Sequence, residues 1–477
     1  MHTATPTRSK ALLLGASVLA LATSWQGPAR ADTVVTGNSG PVTITSGGLR
    51  NGGRITGNSY NAAVTASGSL GSIVNSGIIN LSGSDYTVNY GTAIALHGSL
   101  DLFDNTGTVS SLIAATQATI GAFRNEAGGS LTAVAATGGS IGSFVNGGII
   151  APPPNSYAYP AAINLGAATI YGSNTTSVLP ATIGTIDNQA GAVIRGGLAA
   201  TAASIGTLNN AGVITGNVNL SGGSTYTGTS TSTYSGSNYS NYSYSNSGAV
   251  ISTIGLLTNA AGATITNSLT ANGASIGTLV NAGLIMGGVS LDTISTSTYT
   301  SSSNGSNSGT DYSYSSTNGA VTSTVGALIN ATGATIDGNV VAQGASIGTF
   351  SNAGLITGRI YLGAASVWSY SSSYSSSNPE NNHSNSTYSS IASSIGLFSN
   401  AAGATIATGV NIGGTVGTLD NAGLIGSIDG GQYYYSGGLS FGSNSQVGVI
   451  VNEAGGASVA IRAWPWARPS ARSATAA

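Results

Sequence analysis

Downstream of about residue 60 the chain reads in twos. From Leu208 the alternate positions run Leu208, Asn210, Gly212, Ile214, Gly216, Val218 and Leu220, with Asn209, Thr215, Asn217 and Asn219 between them. The register returns as Leu279, Asn281, Gly283, Ile285, Val289 and Leu291, and again as Phe350, Asn352, Gly354, Ile356, Ile360 and Leu362. Alternation over this length predicts half-buried β-strands. Glycine every few residues would cost a helix about 1 kcal/mol each, and no capping boxes or heptads offset that.

The strands recur. A unit of Ile, Gly, a variable residue, Leu or Phe, a second variable residue, Asn, a small residue and Gly is centred on Asn75, Asn105, Asn125, Asn146, Asn188, Asn210, Asn259, Asn281, Asn330, Asn352, Asn400, Asn421 and Asn452. Its shortest spacings are 20 to 22 residues. Above them lies a second period: Asn188, Asn259, Asn330 and Asn400 step by 71, 71 and 70, and Asn210, Asn281, Asn352 and Asn421 by 71, 71 and 69. Short strands punctuated by Gly and Asn at such a period predict an all-β solenoid of stacked parallel coils over 60–461, with 32–59 as an N-terminal cap or leading strands. About 20 coils of about 21 residues would give a rod on the order of 100 Å.

Stacking assigns each position a job. A residue at a fixed place in the coil sits about 4.8 Å above its own copy, so Ile, Leu and Val make apolar columns and like charges are disfavoured. Asn suits a stacked corner, because its amide donates to one neighbour and accepts from the other. The alternative is that each Asn serves a separate β-turn.

Five stretches interrupt the coils, at 151–181, 221–250, 292–320, 363–391 and 430–446. The last four are Ser, Thr, Asn, Gly and Tyr with almost no aliphatic residues, and hold 14 of the 21 tyrosines. They read as low-complexity loops or polar coils. They also read as protruding loops whose Tyr/Ser/Asn chemistry resembles a paratope, with Tyr239, Tyr242, Tyr244, Tyr312, Tyr314, Tyr370 and Tyr374 as the candidate contact surface. Repetition every 71 residues would make such contacts multivalent.

Composition narrows the classes. Charged residues are 5% of the chain, net charge is −2 and cysteine is absent. Nothing there suits nucleic acid, a disulfide framework, a thiolate metal site or a catalytic thiol. Arg8 and Lys10, an apolar run from Ala11 to Thr23 and the small residues Ala29-Arg30-Ala31 have the order of a secretory signal peptide over 1–31. That makes the Sec export machinery an expected partner. Gly138 to Gly142, Gly273 to Gly277 and Gly344 to Gly348 fit the G-x-S-x-G elbow of hydrolases around Ser140, Ser275 and Ser346. An elbow occurs once, between strand and helix, whereas these recur with the coils, so no enzyme, cofactor or metal site is expected. Asp101 and Asp104 read as a solvated turn.

The rung Ile276-Gly-Thr-Leu-Val-Asn-Ala-Gly-Leu-Ile285, cysteine-free and behind a signal peptide, resembles the passenger region of Gram-negative autotransporters over about residues 60–461. Filamentous-haemagglutinin-like exoproteins use similar L-x-N-x-G-x-I coils, but with an N-P-N-type motif in an amino-terminal secretion domain. The only Asn-Pro here, Asn378-Pro379, lies inside an insertion. The resemblance implies a right-handed parallel β-helix displayed at the cell surface as a non-catalytic adhesin or aggregation factor. Its implied partners are a host surface, matrix or further copies of itself, and it implies a β-barrel translocator. Only 25 residues follow Asn452, too few for a barrel. Arg462 to Ala477 lack the period and are expected to be either a non-native tail, leaving a periplasmic product, or the end of a protein secreted another way.

Overall fold

A computed structural model of the chain describes residues 31–475 apart from 59, 83–90, 153–160, 172–175, 225–227, 235–239, 247–248, 307–308, 374–382, 427–437, 443, 459–460 and 464–471. The expected signal peptide, but for Ala31, lies outside them.

Each coil has three straight segments. In one they are Ser275–Asn281, Leu284–Ile285 and Val289–Asp292. Each lies parallel to its equivalent in the next coil. Leu279 pairs with Leu328 and Asn281 with Asn330 in the first sheet, Leu284 with Thr335 in the second, and Val289 with Val340 in the third. The fold is a parallel β-helix, with 42 strands in this one hydrogen-bonded network and no helix among the described residues.

Inward positions carry the core. Ile276, Leu279, Ile285, Val289 and Leu291 are all buried, and the same columns run the length of the rod. Burying each such side chain contributes about 1.5–3 kcal/mol. In the Leu279 column the aromatic occupants stack on one another: Phe103, Phe123 and Phe144 have ring centroids 4.5 and 4.7 Å apart, and Phe350 lies 4.9 Å from Phe398.

The period of two breaks once per coil. Ile276 and Leu279 are both buried although three residues apart, and the cross-strand register skips Gly277 between them. A Cβ at Gly277 would lie 2.3 Å from the carbonyl oxygen of Gly255 in the preceding coil. The backbones touch here, so only glycine fits. Gly273, four residues earlier, has φ +58° at the corner between coils.

Asn pairs with Asn from Asn51 to Asn452, making fourteen rungs. With Thr33–Val35 paired before Asn51 and Arg472–Thr475 paired after Asn452, the rod has sixteen layers and at about 4.8 Å per step is roughly 70 Å long. That corrects the expected 20 coils and 100 Å, because the insertions leave the coil path and add no height. The expected leading segment is already coil: Val42–Asn51 pairs with Val64–Asn75. Beyond 461, Ile461–Ala463 and Arg472–Thr475 pair with the coil before them. Backbone pairing on a ready template does not require the side-chain period that 462–477 lacks.

The insertions are antiparallel hairpins rather than loops or coils. Gly228–Tyr234 pairs with Ser240–Asn246, Ile294–Ser306 with Gly309–Val321, and the outer part of Ile360–Ser373 with His383–Ala392. Alternating Thr, Ser and Tyr suits a strand, since β-branched and aromatic residues pack on a pleated surface. The two remaining stretches are mixed. Within 151–181, Ile163–Gly166 is an ordinary third-sheet strand, followed by the short hairpin Ala168–Tyr171 with Thr176–Leu179. Within 430–446, Leu439–Phe441 is third-sheet strand, and Tyr433 to Tyr435 lie outside the described residues.

Hairpins leave the rod every second rung. Two rungs rise about 9.6 Å, and a hairpin of two strands is about 9.6 Å wide. Neighbouring hairpins therefore meet edge to edge: Ser240–Asn246 pairs with Ile294–Ser306 through Tyr242 opposite Ser303 and Tyr244 opposite Ser301. The result is a four-stranded antiparallel sheet along one flank, with the Ile360–Ser373 strand beside its last member.

Candidate functional site

The eight predicted column residues Asn188, Asn210, Asn259, Asn281, Asn330, Asn352, Asn400 and Asn421 meet in one buried ladder. Asn188 Nδ2 donates to Asn210 Oδ1 at 2.8 Å, Asn210 to Asn259 at 2.8 Å, Asn259 to Asn281 at 2.8 Å and Asn281 to Asn330 at 2.9 Å. The series continues from Asn330 to Asn352, Asn400, Asn421 and Asn452. In the other direction it reaches through Asn146, Asn125, Asn105 and Asn75 to Asn51, a member the sequence reading did not include. Donation runs the same way at every step. In most rungs the second N–H reaches a backbone carbonyl at the start of the second sheet, as from Asn281 to Thr335 O at 3.1 Å. This settles the choice between a stacked column and independent turns in favour of stacking. Being sealed from solvent, the ladder holds the rod together and is not a surface for ligands.

A second set of residues secures the places where the chain comes back from a hairpin. Ser252 Oγ lies 2.7 Å from Ser221 O and 2.9 Å from Ala200 O, sharing its proton between them, and accepts the Ala203 N–H at 3.2 Å. Ser323 repeats this with Asp292 O and Ala271 O, both at 2.7 Å, and the Ala274 N–H. Ser393 does so with Ala342 O and the Ala345 N–H. All three are fully buried. The signal was present in the sequence: the position holds Ser after the three long hairpins and Ala at 203, 274 and 345, where the preceding coil has none.

The G-x-S-x-G matches dissolve into this architecture. Gly273 is a corner residue and Gly277 a stacking one, while Ser275 Oγ accepts from Thr324 Oγ1 at 3.0 Å in the next rung. Ser346 likewise accepts from Ser394 Oγ at 3.1 Å. Asp104 sits in register with Arg124 of the neighbouring rung, and Asp101 is exposed. Among the described residues no three His, Cys, Asp or Glu side chains come together as a metal site would require.

The hairpin sheet is the remaining surface of distinct chemistry. Tyr242, Tyr244, Tyr312 and Tyr314 stand in its paired strands and Tyr370 in the hairpin beside it, whereas Tyr239 and Tyr374 lie outside the described residues. Register brings four of them together: Tyr242, Ser303 and Tyr312 form one row across three strands, and Tyr244, Ser301 and Tyr314 the next. Comparison with known protein families, curated proteins and solved structures finds no match to the chain.

Proposed function

We propose that the chain is an exported, non-catalytic β-helical rod, an adhesin-like passenger displayed at the surface of a Gram-negative cell, with its contacts made by the hairpin sheet. The observation that carries this is the division of labour along the coil. An unbroken ladder from Asn51 to Asn452, buried as far as Asn421, supplies a stiff scaffold, and the three long Tyr- and Ser-rich hairpins stand side by side along it. The signal-like residues 1–31 and the likeness of the rungs to autotransporter passengers support export. A β-barrel translocator is the partner this reading calls for, and a host surface, matrix or second rod the object of contact.

Expression of the full chain in a Gram-negative host together with a β-barrel translocator tests each part. Protease shaving of intact cells is expected to remove the rod, and cells displaying it are expected to adhere or aggregate. Deleting 221–250 and 363–391 is expected to abolish that adhesion while the rod stays exported. Retention in the cytoplasm would refute export, and confinement to the periplasm would refute display. Unchanged adhesion after the deletions would remove the hairpins as the contact surface. Hydrolysis lost on Ser275→Ala would refute the non-catalytic reading.

A further inference from the structure

The hairpin sheet sorts its residues by face. Residues directly opposite one another in antiparallel strands share a face, and successive residues alternate. Tyr234 pairs with Ser240, Tyr242 with Ser232 and Ser303, and Tyr244 with Ser230 and Ser301. Tyr299 pairs with Asn246, Tyr312 with Ser303 and Tyr314 with Ser301. All six tyrosine positions therefore fall on one face, among Ser and Asn. Thr229, Thr231, Thr233, Thr296, Thr298 and Thr300 have the other parity. So does Asp311, the one charged residue of these four strands.

The third long hairpin repeats the division. Tyr370 stands 71 residues after Tyr299, and Trp368 pairs with Tyr388 on the same face. Tyr388 is 80% exposed. Val367, on the opposite face near the hairpin root, is 5% exposed. Ser386, Tyr388 and Ser390 are all exposed, so on this hairpin the tyrosine parity is open to solvent; Thr387 and Ser389 of the other parity are exposed too, and only the root of that face, at Val367, is covered.

We infer that the tyrosine face binds neutral polysaccharide. A pyranose ring offers C–H bonds on its flat faces and hydroxyls around its rim, and is met by aromatic rings alternating with short hydroxyl and amide side chains. The rows Tyr242–Ser303–Tyr312 and Tyr244–Ser301–Tyr314 place a serine track between two tyrosine tracks, two strand widths or about 9.6 Å apart. A polyanion calls for Lys and Arg, and the hairpin strands contain neither. Repetition along the rod suits a polymer, because each further hairpin engages the same chain at high effective concentration.

The inference names a ligand class for the contact surface proposed above, but it is read on the purified chain and fails separately from surface display. The full chain is run through native gels containing amylose, galactomannan, hydroxyethylcellulose or a soluble β-1,3-glucan, with alginate as the charged comparison. At least one neutral polymer is expected to retard it. Tyr244→Ala with Tyr314→Ala is expected to weaken that retardation about tenfold. Thr231→Ala with Thr298→Ala, on the other face, is expected to leave it unchanged. Tyr244→Thr with Tyr314→Thr, which keeps strand propensity, is expected to weaken binding with the far-UV circular dichroism of the parent. Migration unaffected by every neutral polymer overturns the inference. So do retardation by alginate alone, equal loss from both face variants, or full binding by the threonine pair. A chain that binds polysaccharide in the gel yet never reaches the cell surface would refute display and leave this inference standing.

Discussion

Asn281 lies mid-ladder, and its replacement by alanine tests whether stacking carries the fold. The side chain donates to Asn330 Oδ1 at 2.9 Å and to Thr335 O at 3.1 Å, and accepts from Asn259 Nδ2 at 2.8 Å. Asn281→Ala leaves one N–H of Asn259 and the Oδ1 of Asn330 without those bonds in a sealed column. At about 1–3 kcal/mol for each orphaned buried group, the cost is about 2–6 kcal/mol. Asn452, at the end of the ladder, accepts from Asn421 and otherwise donates to Gly456 O, in a partly buried setting. Asn452→Ala is therefore expected to cost about half as much. Asn281→Asp adds a sign. A carboxylate can accept from Asn259 but only repels Asn330 Oδ1, whereas the protonated acid can donate to it. Its folded-state pKa is then raised above the unfolded value of about 3.9, so the native state binds more protons. The variant is expected to be weakest at neutral pH and to gain stability, relative to the parent, as pH falls through the raised pKa. Urea unfolding of the full chain followed by far-UV circular dichroism, with hydrogen exchange at Ser275–Asn281, reads all three. A cost below about 0.5 kcal/mol for Asn281→Ala, or an Asp variant whose pH dependence parallels the parent's, would refute the ladder argument.

Three further outcomes follow from the same geometry. Gly277→Ala drives a Cβ into the Gly255 carbonyl and is expected to cost about 3 kcal/mol, whereas Gly333→Ala, at φ +78° with nothing within 4 Å, is expected to cost about 1 kcal/mol; thermal melts of the two compare crowding with conformational strain. Ser323→Ala uncaps two buried carbonyls and is expected to cost about 1–3 kcal/mol, with hydrogen exchange quickening first around Asp292 and Thr324. Phe398→Ala opens a cavity against Phe350 and is expected to cost about 3–5 kcal/mol by urea unfolding, with the loss centred on rungs 352–421.

The rod was legible because every occupant of a coil position leaves a copy of itself about 21 residues away. Asn281, Leu279 and Ile285 repeat both their type and their register, and the structure stacks each on its copy. The phase break at Gly277 was harder to see, since a backbone contact between coils leaves no trace except the glycine itself. The hairpins were misread for a physical reason. Strands such as Ser240–Asn246 bury no apolar column, so the usual sign of a strand is missing, and Ser-rich composition looks like loop. What remained was the spacing of Tyr242 and Tyr244, or Tyr312 and Tyr314, by two. The rung count failed with them, because residues in a hairpin lengthen the chain without lengthening the rod.

The match between two rungs and one hairpin also fixes how this molecule can change size. Removing residues 260–330, one unit of 71 from Asn259 to Asn330, shortens rod and flanking sheet by the same amount and joins equivalent strands. Loss or gain of a single rung does not. It shifts every later hairpin by one strand, so that edges either collide or stand about 4.8 Å too far apart to bond. The molecule thus has a smallest permissible increment, and slippage during duplication of its repetitive gene is tolerated only in whole units. Length can vary between descendants while the hairpin sheet keeps its lattice.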